Sequence, residues 1–153
     1  MEFHGINKTT LLDFPKHIAC TVFTGRCNLR CPFCHNGDLV LAPDSQPVIT
    51  EEAVISFLER RKDTLEGICI TGGEPLLRKD FFDIMAYAHS LGYNWGMTSN
   101  GTLIDEKTAA LLKQTGMKTI SVSIDGLKET NDWFRQKDGG YDAAIRGIEN
   151  LVK

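Results

Sequence analysis

The sequence predicts an α/β fold, a parallel sheet curling into a partial (βα) barrel of about four βα units. Three observations predict it. Short β-rich runs alternate with amphipathic helical stretches along the whole chain. The predicted strand ends at Thr71, Thr98 and Ile124 are spaced 27 and 26 residues apart, one βα unit per step. The unusual glycine, cysteine and polar motifs all follow strands, where parallel sheets place their ligand sites.

The elements follow in order. Ile18 to Phe23 is the first strand, and a cysteine-rich loop comes after it. Glu51 to Lys62 is a helix with Thr50 as N-cap and Ala53, Val54, Phe57 and Leu58 at helical spacing. Gly67 to Thr71 is the second strand. Asp80 to Leu91 is a helix capped by Asp80, with Phe81, Ile84, Met85 and Ala88 on one face. Tyr93 to Ser99 is the third strand, ending in the turn Ser99-Asn100-Gly101. Asp105 to Gln114 is a helix, and Gly116 suits the position just past its end. Thr119 to Ile124 is the fourth strand, and Tyr141 to Val152 the last helix.

Bulk properties narrow the field. A chain of 153 residues, 42% hydrophobic, is long enough for one domain with a real core, and residues 1–153 are read as one. The net charge is −3 and the basic residues are scattered, which argues against a nucleic-acid or membrane surface. No apolar run reaches membrane-spanning length, and the first ten residues hold no apolar signal core, so the expected compartment is the cytoplasm. Five cysteines are an odd count for a disulfide framework. Cys20 and Cys69 lie within apolar runs and read as buried structural thiols.

The remaining three, Cys27, Cys31 and Cys34, have C-x3-C-x2-C spacing. Three thiolates so close together suit one face of an iron–sulfur cube, leaving one iron free of protein ligands and open to chemistry. A structural zinc site is the alternative, with His35 as a fourth ligand, although no second ligand pair is present. A ferredoxin-type cluster would need a fourth cysteine.

Thr71-Gly72-Gly73-Glu74-Pro75 comes next. Its glycines permit close backbone approach, Glu74 offers a carboxylate to an ammonium group, and Pro75 fixes the turn. Read alone, it is also an ordinary strand-to-helix loop. In Ser121-Val122-Ser123-Ile124-Asp125, alternation puts Ser121, Ser123 and Asp125 on one face. That polar face fits either a lined cavity or an edge strand with one wet side.

Together, the cysteine loop followed by Gly72-Gly73-Glu74-Pro75 resembles the radical S-adenosylmethionine superfamily. The resemblance implies a [4Fe–4S] cluster whose open iron binds the amino and carboxylate groups of S-adenosyl-L-methionine. Reductive cleavage there yields a 5′-deoxyadenosyl radical that abstracts hydrogen from a substrate. It implies that Gly72 to Glu74 meet the methionine amino group, and that Thr98, Ser99, Asn100 and Ser123 contact the cofactor. Arg135 either reaches the cofactor carboxylate or is an exposed structural arginine.

Within the superfamily, residues 5 to 77 resemble activating proteins of anaerobic ribonucleotide reductase and related glycyl-radical enzymes. Gly5 to Pro15, Ile18 to Gly25 and Cys34-His35-Asn36 carry that likeness. Residues 78 to 150 resemble peptide-modifying members, through Val122 to Gly126, Asp132 to Arg135 and Gly140-Tyr141-Asp142. The expected partners are therefore a protein or peptide substrate, a glycyl-radical enzyme first, and a reducing electron donor such as flavodoxin or ferredoxin. The pattern departs in three places. Lys16 stands where the activase pattern has glycine, no auxiliary-cluster cysteines follow, and four βα units replace the usual six. The short count points to a fragment of a longer enzyme. An inactive iron–sulfur or zinc-binding scaffold is the alternative outside enzymes.

Overall fold

The computed structural model describes residues 2–153. One five-stranded sheet runs in the order β1 (Phe3–Thr10), β2 (Ala19–Thr24), β3 (Gly67–Gly72), β4 (Asn94–Ser99), β5 (Met117–Val122). Strands β2 to β5 are parallel, and β1 pairs antiparallel with β2. The helices are α1 (Gly37–Leu41), α2 (Glu51–Arg61), α3 (Phe81–Ser90), α4 (Glu106–Gln114), α5 (Lys128–Arg135) and α6 (Gly140–Val152). The four parallel strands and the helices after them are the four expected βα units. Among the described residues no helix is long and apolar enough to cross a membrane.

The two faces of the sheet differ. Cys20 and Val22, Ile68 and Ile70, and Trp95 and Met97 point towards Val54, Phe57 and Leu58 of α2 and Phe81, Ile84 and Met85 of α3. This is the core, and it follows from the period-2 alternation of each strand against the 3.6-residue apolar stripe of each helix. The opposite face has its own plug. Phe14, 2% exposed, lies against Gly67 and Gly96 from the segment joining β1 to β2. The Thr21 hydroxyl donates to Asp13 and ties that segment down.

Several local expectations need correction. β1 and α5 lie where no element was expected. The antiparallel β1 offers few apolar positions, Phe3 and Ile6 among eight residues, and its polar outer part is exposed. α5 is short and polar, and it ends at Gln136 in the left-handed region (φ 53°), without a glycine to announce its end. β5 lies two residues earlier than expected, so Ser123 and Asp125 sit past the strand's end. β5 is also an edge of the sheet, with Lys118, Thr119 and Ser121 exposed. The wet-edge reading thus applies to Ser121. Thr50 caps α2 by accepting from the Ala53 N–H at 3.2 Å, as expected. Asp80 makes no side-chain cap. Its carboxylate pairs with Arg78 at 2.7 Å. Arg78 also reaches Glu51 at 2.9 Å and stacks 4.2 Å from the Phe3 ring centroid, joining the segment before α3 to α2 and β1.

Candidate functional site

The carboxyl ends of the parallel strands open into one cleft. Its lining includes Cys27, Cys31, Cys34, Gly72, Gly73, Glu74, Thr98, Ser99, Asn100, Ser123 and Arg135. Of the residues expected to hold the cluster or the cofactor, Pro75 lies outside the lining, as do His35, Ser121 and Asp125. Pro75 is buried and starts the short 3-10 turn Pro75–Leu77. Leu29, Asn36, Val40 and Thr71 complete the wall.

Backbone packing between β2 and β3 brings the motifs together. The Gly73 N–H donates to the Thr24 carbonyl at 2.7 Å, and the Glu74 N–H to the Arg26 carbonyl at 2.8 Å. A Cβ on Gly73 would stand 1.8 Å from the Arg26 carbonyl oxygen. Gly72 adds a left-handed φ of 104°. The glycines therefore serve first to let this turn lie flush against the entrance of the cysteine loop, a role the sequence reading assigned to ligand approach. Asn36, just after Cys34, closes the other end through a 3.4 Å bond from its Nδ2 to the Gly72 carbonyl.

Glu74 is 1% exposed, and its carboxylate turns inward. Oε1 accepts from the Leu76 N–H at 3.2 Å and Oε2 from the Asn100 N–H at 2.8 Å. The Ser99 hydroxyl reaches both oxygens, at 3.0 and 3.1 Å. Burial pushes this carboxyl above the ordinary glutamate range, against the opposing pull of these donors. The expectation that the carboxylate takes up an ammonium group meets a side chain already committed to the end of β4. What the turn leaves towards the cleft is main chain.

The three thiols are half-buried and unpaired by disulfides. Cys27 Sγ accepts from the Leu29 N–H at 3.4 Å and from Asn100 Nδ2 at 3.7 Å. Arg135 Nη1 lies 3.9 Å from Cys31 Sγ. Burial pushes the Cys27 and Cys31 thiols up. The Leu29 N–H chiefly opposes this at Cys27, and the Arg135 charge at Cys31. Among the described residues no three His, Cys, Asp or Glu side chains converge on a single-ion site. A mononuclear zinc needs such convergence, whereas a cube meets each thiolate at a different iron. Cys20 and Cys69 are buried away from the cleft, with thiols pushed up to about 12 and about 11 by desolvation.

Arg135 approaches from α5, which the sequence reading did not place as a helix. Its Nη2 stands 2.5 Å from Asp125 Oδ2 as an ion pair. Its Nε is buried with no hydrogen-bond partner among the described residues. A buried, orphaned guanidinium nitrogen on the cleft wall suits an incoming carboxylate. Three thiols, a main-chain turn and this guanidinium together match the donors that a cube and an amino-acid-bearing sulfonium cofactor require.

Comparison with known proteins agrees. The Radical SAM superfamily profile matches residues 21–153. Over 143 residues the chain is 39% identical to Fe-coproporphyrin III synthase of Methanosarcina barkeri, covering 92% of this chain and 36% of that protein. It is 30% identical to the sporulation killing factor maturation protein SkfB of Bacillus subtilis, over 92% of this chain and 37% of that protein. Native anSMEcpe with bound AdoMet superposes with a TM-score of 0.66 at 26% identity, covering 84% of this chain and 39% of that one. The chain thus spans little more than a third of the length of these proteins. It belongs to the radical SAM superfamily, whose cofactors are a [4Fe–4S] cluster and S-adenosylmethionine.

Proposed function

We propose that this chain is the cofactor-binding part of an enzyme that cleaves S-adenosylmethionine reductively and removes hydrogen from a polypeptide, with a glycyl-radical enzyme such as anaerobic ribonucleotide reductase as the favoured substrate. The observation that carries the chemistry is the convergence of the cysteine loop, the Gly72–Pro75 turn, the end of β4 and Arg135 on one cleft. Bound together, the two cofactors supply a 5′-deoxyadenosyl radical, the step no side chain can perform. The protein's part is to hold and orient. Cys27, Cys31 and Cys34 hold three irons. The main chain of Gly72 to Glu74 meets the cofactor's amino group, while the Glu74 carboxylate and Ser99 keep that turn in register with β4. Pro75 fixes the exit of the turn. Arg135 takes the cofactor carboxylate, exchanging its Asp125 partner for it. Thr98, Asn100 and Ser123 form the adjoining wall. The electron comes from an external donor of the flavodoxin or ferredoxin kind.

The activase reading is supported by residues 5 to 77, whose motifs resemble activating proteins. A second reading, modification of a peptide, is favoured by the identity to SkfB and by the likeness to anSMEcpe solved with a bound peptide. Deuterium tracing separates them. Reduced, reconstituted protein is given S-adenosylmethionine and a polypeptide deuterated at glycine Cα. The activase reading expects deuterium in 5′-deoxyadenosine. Transfer only from a side-chain-deuterated peptide favours the second reading, and no 5′-deoxyadenosine with any polypeptide contradicts both.

A further inference from the structure

Asn100 does more at the end of β4 than line the cleft. Its Oδ1 accepts from the Thr102 N–H at 3.0 Å and from the Thr102 hydroxyl at 2.7 Å. A main-chain N–H can only donate, so the amide oxygen is fixed at that side and Nδ2 at the other. Nδ2 then lies 2.7 Å from Asn28 Oδ1 and 3.7 Å from Cys27 Sγ. With its oxygen so engaged, Asn28 turns its own Nδ2 to Thr102 Oγ1 at 2.9 Å. The three side chains close a ring in which each donates to the next in one direction. Such rings strengthen each of their members. This ring ties Asn28, next to the first cysteine of the loop, to the turn after β4, across 72 residues of chain.

We propose that Asn28, Asn100 and Thr102 are positioning residues that aim the Asn100 side-chain Nδ2–H at the Cys27 thiolate and so raise the reduction potential of the cluster. The proposal rests on Cys27 being a cluster ligand. One added electron increases the negative charge on the ligating sulfurs, so a donor aimed at sulfur favours the reduced cluster. The Leu29 N–H already gives Cys27 one donor. The ring adds a second from a side chain whose orientation is set by its two partners. Neither Asn28 nor Thr102 lines the cleft, so changing them alters the ring while leaving the cleft wall in place.

The test is an EPR-monitored redox titration of the reconstituted protein without S-adenosylmethionine, with iron and sulfide content measured alongside. Thr102→Val and Asn28→Ala are expected to load the cluster fully and titrate at more negative potential. The shift should be less than about tenfold in the reduction equilibrium, under about 59 mV for one electron, because the Thr102 N–H still holds Asn100 Oδ1 and only the aim of Nδ2 is loosened. Asn100→Asp, which puts a carboxylate oxygen beside the sulfur, should shift further, and Thr102→Ser should restore the wild-type value. Unchanged midpoints at full loading overturn the proposal. So does loss of the cluster from Thr102→Val and Asn28→Ala alike with the fold intact, because the ring would then only hold the loop. A wild-type protein that assembles no cluster overturns the reading of the site itself.

Discussion

Glu74 shows why a residue's identity and its orientation are separate questions. A glutamate after two glycines at a strand end reads from sequence as a ligand for an ammonium group. In the structure each carboxylate oxygen accepts a main-chain N–H, from Leu76 and Asn100, with Ser99 bridging both. Glutamine cannot reproduce this, since its NH2 must face one of those N–H groups. Glu74→Gln should therefore cost about 1–3 kcal/mol of stability, the penalty of one buried unsatisfied donor, measured by urea unfolding. An unchanged midpoint would place the carboxylate towards the cleft after all. Thiol chemistry gives a second check at this scale. Thiolate is the reactive form, and the Cys20 and Cys69 thiols are pushed up to about 12 and about 11. In cluster-free folded protein at pH 8, iodoacetamide should label the part-exposed Cys27, Cys31 and Cys34, more slowly at Cys27 and Cys31, whose thiols are also pushed up, and spare the buried Cys20 and Cys69. All five should react after unfolding. The trio and its spacing were legible in the sequence because metal ligands must be close in the chain or in space. Asn28 and Thr102 were not, because their roles exist only once β4 and the loop are side by side.

At the scale of elements, the four βα units were legible because helix and strand periodicities differ so plainly. β1 and α5 were not, since one is a polar edge strand and the other a polar two-turn helix. α5 nevertheless delivers Arg135 to the cleft, so the element hardest to read carries a site residue. The Gly72-Gly73 pair is a matter of contact between elements. Gly73→Ala places a Cβ inside the contact distance of the Arg26 carbonyl. It should destabilise the protein by about 3 kcal/mol or more, and the cysteine loop should lose its fixed approach to the turn. Thermal unfolding and iron content after reconstitution both read this. Phe14 is the corresponding test on the opposite face of the sheet. It is 2% exposed against Gly67 and Gly96, and Phe14→Ala should cost about 3–5 kcal/mol. A cost below about 1 kcal/mol would mean that the segment between β1 and β2 does not pack there.

At the scale of the whole molecule, two layers account for the placement of the site. Helices α2 and α3 cover one face of the sheet, and the strand-end motifs meet in a cleft at the carboxyl rim that Val40 of α1 and Arg135 of α5 also wall. The superfamily follows from that rim, while the chain spans little more than a third of the length of its relatives. The cofactors can be read from residues 27 to 135, while the hydrogen donor remains a proposal. The most direct test of the account is the EPR spectrum of the reduced, anaerobically reconstituted protein before and after adding S-adenosylmethionine. The account predicts a [4Fe–4S] signal that changes when the cofactor binds, is lost in Cys31→Ala and survives in Cys20→Ala. A signal indifferent to S-adenosylmethionine, or equal loss from both cysteine variants, would contradict it.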